Sequence, residues 1–128
     1  MEGWYGSSAV TTIRTMSDID DVREIALALP EATEQDHHGM VSFRVRGRIF
    51  ATLPDDDHVR VMVDETEIRA AVAEHPRICA ELYWGKRLAC VVVTLPTAPH
   101  ELLHELLAEA WLRKAPKSQA RRFDPRIR

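Results

Sequence analysis

Apolar and polar residues alternate from Val41 onward, with Val41, Phe43 and Val45 on one parity and Ser42, Arg44 and Arg46 on the other. A period of two is the mark of a half-buried strand. Gly47 turns the chain, "RIFATL" (48–53) reads as a second strand, and "HVRVMV" (58–63) as a third, separated by the acidic turn "PDDD". Before them, Val22, Ile25, Ala26 and Leu29 recur at helical spacing up to Pro30, with acids in the first turn and Ser17 and Asp20 as a cap-like pair. The stretch between, "PEATEQDHHG" (30–39), carries neither period and reads as a polar connection. After the third strand, Asp64 and Glu67 start a second helix with Ile68, Ala71 and Val72 as its stripe, ending before Pro76. "RICAELYWGK" (77–86) predicts a helical turn running into a short strand at Tyr83 and Trp84. Gly85 then leads into a long buried strand from Leu88 to Leu95. Pro99 opens the last helix, with Leu102, Leu103, Leu106, Leu107 and Ala110 on one face and Glu101, Glu105 and Glu109 opposite.

The order helix, three strands, helix, two strands, helix predicts an α+β two-layer sandwich: a largely antiparallel five-stranded sheet with helices on one face. Residues 1–16, rich in Gly, Ser and Thr, predict a flexible extension with Met16 as an alternative start, 17–117 the folded domain, and 118–128 a basic tail. A chain of 128 residues that is 45% apolar and 29% charged suits a single core. Its longest apolar run, "LACVVVTL", is strand-sized, and the first fifteen residues lack the basic start and apolar segment of a secretory leader, so a cytoplasmic protein without membrane contact is expected. Cys79 and Cys90 form no C-x-x-C pair and read as reduced packing residues. The net charge of −3 is unevenly spread: residues 112–128 carry seven basic groups against Asp124, a balance of +6, leaving −9 on the rest. An acidic body with a basic arm fits contact with an anionic partner.

"ALALPEATEQDHHGMVSFRVRGRIFATL", with "YWGKRL" and "LLAEAWLRKAPK" in the same order, resembles the MmcQ/YjbR family from about Ser17 to Lys117. The resemblance implies a compact α+β fold with a largely antiparallel sheet, likened to frataxin-type (CyaY-like) or secretion-chaperone-type sandwiches, and a proposed DNA-binding role. The family hairpin often has lysine where Arg48 stands, which keeps the charge. The segments before Met16 and after Lys117 lie outside the shared pattern.

Among candidate chemistries, "HELLH" at His100, Glu101 and His104 has the H-E-x-x-H form that binds zinc from one helix face. The longer form fails, since Leu107 and Ala110 stand where a glycine and a third histidine would be, and the string is read as coincidental. His37 and His38 beside Asp36, and the run Asp55, Asp56 and Asp57 near Asp64 and Glu65, read as solvated loops, so no metal and no cofactor is expected. No nucleophile elbow and no phosphate-binding glycine loop occurs, so the chain is not expected to be an enzyme. What remains is cationic: Arg44, Arg46 and Arg48 at every second position, Arg60 on the third strand, and Lys86 and Arg87 beside Tyr83 and Trp84. The reading is a non-enzymatic binding module with DNA as partner, held by Arg44, Arg46, Arg48, Arg60, Lys86 and Arg87, with Arg121 and Arg122 of the tail as auxiliaries. A protein-interaction or small-ligand module using the open sheet face is the alternative, a metal-dependent hydrolase at "HELLH" a weaker one, and a monomer the expected state.

Overall fold

The computed structural model describes residues 16–118. Helix α1 (Ile19–Leu27) is started by Asp18, not by the Ser17–Asp20 pair. Asp18 is extended, its side chain accepts from the Asp21 amide, and the Asp21 carboxylate accepts from the Asp18 amide, a complete capping box. Ser17 is instead buried, and its hydroxyl donates to the Ala98 carbonyl at 2.6 Å. The Met16 amide likewise donates to the Pro96 carbonyl at 2.9 Å, so Met16 joins the folded body rather than the extension. The expectations for residues 1–15 and for the tail from 119 onward lie outside the described residues.

Four strands follow, β1 (Ala32–His37), β2 (Met40–Val45), β3 (Arg48–Asp55) and β4 (His58–Val61). Helix α2 (Glu65–Glu74), strands β5 (Cys79–Trp84) and β6 (Arg87–Thr94), a 3-10 turn (Leu95–Thr97) and helix α3 (His100–Lys114) complete the chain. The sheet therefore has six strands in the order β1-β2-β3-β4-β6-β5, every neighbouring pair antiparallel, which corrects the five-stranded expectation. The strand missed is β1, inside the supposed polar connection. It is an edge strand exposed at its middle four residues, so its sequence shows no alternation. Its order comes from the ladder to β2 and from an Arg23–Glu34 ion pair at 2.8 Å, and its charged side chains suit an unpaired edge. β5 is also longer than expected, beginning at Cys79.

Each hairpin closes with a two-residue loop. In the first two, His38–Gly39 and Arg46–Gly47, both residues have positive φ (55° and 82°; 52° and 80°). This is the type I′ geometry that matches strand twist, and glycine takes the second place without strain.

Phe43, Val45, Ala51, Val59, Val61, Val91 and Val93 are buried on the helix side of the sheet. A bulge opposite Phe43 sends Phe50 to that side as well. All five apolar α3 residues named from sequence are buried, joined by Trp111, whose indole N–H donates to the Pro30 carbonyl at 2.9 Å. Ser42, Arg44, Thr52, Arg60 and Val92 alternate onto the other, helix-free face. Cys79 and Cys90 are free and buried, and desolvation pushes each thiol up to about 11, so both are unreactive packing groups.

One acid–base feature stands at the α2–α3 contact. Burial first, then Glu109, raises the Glu67 carboxyl above its ordinary value of 4.5. A raised folded-state value means stability that is present on the acid side and lost as pH rises through that value. Glu67→Gln is therefore expected to stabilise the protein at pH 7 by about 0.5 kcal/mol and to flatten the stability curve just above the ordinary glutamate range. Urea titrations at pH 4.5, 5.5 and 7 check this, and an equal effect at all three would contradict it.

Candidate functional site

The hairpin geometry answers what the three arginines do. β2 ends at Val45, so the alternation stops there, and Arg46 enters the turn in the left-handed region. Its guanidinium leaves the row and pairs with Glu31 at 2.6 Å. Arg48 restarts the chain on β3 opposite Val45, so Arg44, Arg46 and Arg48 do not share one face. Arg44 and Arg60 do. Thr52 is opposite Ser42 on one side and Arg60 on the other, and Arg44 is opposite Ile49, so β3 lies between two arginines that both rise from the helix-free face.

That face holds a cavity of about 610 Å³. Arg44, Arg60 and Lys114 supply its charge, Met40, Ile49 and Met62 its apolar floor, and Trp84 and the paired rings of His37 and His38, 4.6 Å apart, line it too. Although the chain has 20 acidic residues, no described carboxylate lines this cavity. Arg44 is held by its own strand partner: its Nε donates to the Ser42 hydroxyl at 3.1 Å, and that hydroxyl donates to the Gln35 carbonyl at 2.9 Å. Thr52 is 4% exposed, and its Oγ1 is the buried side-chain polar atom that finds no hydrogen-bond partner among the described residues.

The alternation of strand direction puts the Arg46–Gly47 and Gly85–Lys86 turns at the same end of the sheet. The last turn of α3 arrives there as well. Burial, then Arg113, Arg48 and Arg87, lowers the Lys114 ammonium from its ordinary value, which records a partly buried amine among neighbouring cations. Arg87 sits 5.5 Å over the Trp84 ring, while Tyr83 and Trp84 are 46% and 49% exposed. Arg48, Lys86, Arg87 and Lys114 have no carboxylate partner among the described residues, whereas Arg23, Arg46 and Arg69 all do.

The remaining candidates are placed elsewhere. His100 lies 3.3 Å from Asp21 of α1, Glu101 is exposed, and His104 has an interaction of its own. Asp55 accepts from the His58 ring at 2.9 Å, a bond that lowers its carboxyl. Among the described residues no group of three His, Cys, Asp or Glu side chains is placed to hold a metal ion, and no helix is long and apolar enough to cross a membrane. Arg121 and Arg122 lie outside the described residues. The sequence pointed to neither Thr52 nor Lys114 as a site residue. A polar residue on the same strand parity as Ser42 and Arg60 was the available signal for Thr52, and it has meaning only once the register is known.

Fold and site define a small α+β domain with one sheet face covered by helices and the other left open over a cationic cavity. The YjbR family profile matches residues 27–113, and the chain belongs to that family. The crystal structure of Deinococcus radiodurans protein DR2400, a DUF419 domain, is similar to it, with 27% identity and a TM-score of 0.65 over 79% of this chain and 80% of that one. No curated protein matches the chain.

Proposed function

We propose that this YjbR-family chain is a non-enzymatic binding module whose partner is DNA, held at the sheet end where the two basic hairpins turn. The observation that carries the reading is the gathering of Arg48, Lys86, Arg87 and Lys114 there, none of them paired with a carboxylate among the described residues, beside the exposed rings of Tyr83 and Trp84. Packed cations repel, and a phosphate backbone relieves that repulsion while releasing counter-ions. The exposed rings suit stacking of an unpaired base. Arg46 drops out of the set because Glu31 neutralises it.

The test is fluorescence anisotropy with a labelled duplex across a salt series. Each neutralised phosphate contributes about −0.9 to the slope of log affinity against log salt, so replacing Arg48, Lys86 and Arg87 by Ala is expected to flatten it by roughly two to three units. Arg46→Ala should leave it unchanged. Absence of binding at about 50 mM salt, or a triple variant that matches the parent, would rule the reading out.

A further inference from the structure

We propose that the cavity on the helix-free face is a binding site for a small organic anion. Its phosphate or carboxylate head would sit between Arg44 and Arg60, and its flat apolar body on Met40, Ile49 and Met62. This goes beyond the DNA reading, which rests on the hairpin end: the two share Trp84 and Lys114, and each is tested with its own variants and probes.

Three independent features point the same way. The first is size: about 610 Å³ lies within the range of pockets that enclose a metabolite-sized ligand. The second is charge. Arg44 and Arg60 project from strands on either side of β3, so the space between them is flanked by two guanidiniums, and no described carboxylate lines it. Arg44 is pre-oriented, since its Nε is committed to Ser42, its Nη2 also reaches the Asp36 carbonyl at 3.5 Å, and the guanidinium cannot fold away without breaking these bonds. A guanidinium fixed in this way offers its remaining N–H groups to a planar or tetrahedral anion at little entropic cost.

The third feature is Thr52. A buried hydroxyl without a partner is costly, and sheet residues at such positions are ordinarily apolar or bonded to a neighbour. Valine would pack in the same space without that cost. Thr52 nevertheless lines the cavity floor with Arg60 directly across the ladder, where an anionic oxygen drawn in by the arginines would accept the free O–H. Below the head, two methionines and an isoleucine make an adaptable apolar bed. That bed favours a ligand with an aromatic or aliphatic body over a bare inorganic ion.

Isothermal titration of the full chain, in the absence of DNA, tests this with four probes: inorganic phosphate, adenosine 5′-monophosphate, adenosine and indole-3-acetate. At least one of the two organic anions is expected to bind about tenfold or more tightly than adenosine, which lacks the head, and than phosphate, which lacks the body. Whichever anion binds better tells a phosphate head from a carboxylate head. Arg44→Ala and Arg60→Ala are each expected to weaken that probe about tenfold. Thr52→Val should weaken it about fivefold while leaving Tm unchanged or higher, because it removes an unpaired buried hydroxyl. A merely structural Thr52 would leave affinity alone whatever the change in Tm, because the unpaired hydroxyl is lost in either case. Failure of both organic anions to bind at about 5 mM, equal binding of adenosine, or unchanged affinity in folded Arg60→Ala would overturn the proposal.

Discussion

Trp111→Ala is expected to cost about 4 kcal/mol of unfolding free energy, the largest effect of any change considered. Trp111 is wholly buried on α3, with the leucines at 102, 103, 106 and 107 on the same helix, and its removal leaves a cavity that a packed core closes only in part. It also ties α3 to the α1–β1 connection through the Pro30 carbonyl at 2.9 Å. Trp111→Phe separates the two contributions: it keeps most of the ring and loses the N–H, so it should cost about 1–3 kcal/mol for an acceptor left without its donor. Urea unfolding followed by far-UV circular dichroism measures both. A domain of this size has about 5–15 kcal/mol in hand, so the alanine variant should lose a large share of its stability. A loss below about 1 kcal/mol would show that the core repacks around the gap.

Arg113→Ala is expected to cost about 1.5–2 kcal/mol, a large value for an exposed side chain. One guanidinium nitrogen donates to the Met62 and Val63 carbonyls at 3.0 and 3.1 Å. These carbonyls lie just past the end of β4, where the ladder no longer serves them, so Arg113 acts as a clasp between α3 and the sheet. Arg113→Lys should recover less than half of the loss, because its ammonium sits on a flexible stem and is strongly hydrated, so it is held less firmly against the two carbonyls. Thermal melts of the two variants check the order. Equal stability of Arg113→Ala and the parent would mean that water takes over both carbonyls without cost.

The clasp and the tryptophan bond share a property that separates them from the features read off the chain. Asp64 could be named as the start of α2, and its side chain does accept from the Glu67 amide at 2.9 Å, because a cap is a matter of a few consecutive positions. The buried face of α3 was legible for the same reason: one period of 3.6 repeated over four turns can bury only one side. The α1 cap was misplaced by one residue because Ser17 and Asp18 are both good caps, and the choice was made by Ala98, 81 positions away, which takes the Ser17 hydroxyl.

The candidate site shows the same division more sharply. By itself, the sequence determined the class of the fold, most of its strands and helices, the turns at Gly47 and Gly85 and a basic pair beside Tyr83 and Trp84. Each depends on neighbours within a few positions, where propensity, periodicity and capping act. Only the tertiary structure decided that β1 is a strand and that Arg46 belongs to Glu31. It alone set Arg44 and Arg60 on either side of Thr52, and brought the end of α3 to the basic hairpins. An edge strand is held by its ladder rather than by burial, and an arginine's partner is set by register, strand order and the direction in which each turn releases the chain. Those are long-range quantities, and no local pattern of hydrophobic and polar residues encodes them.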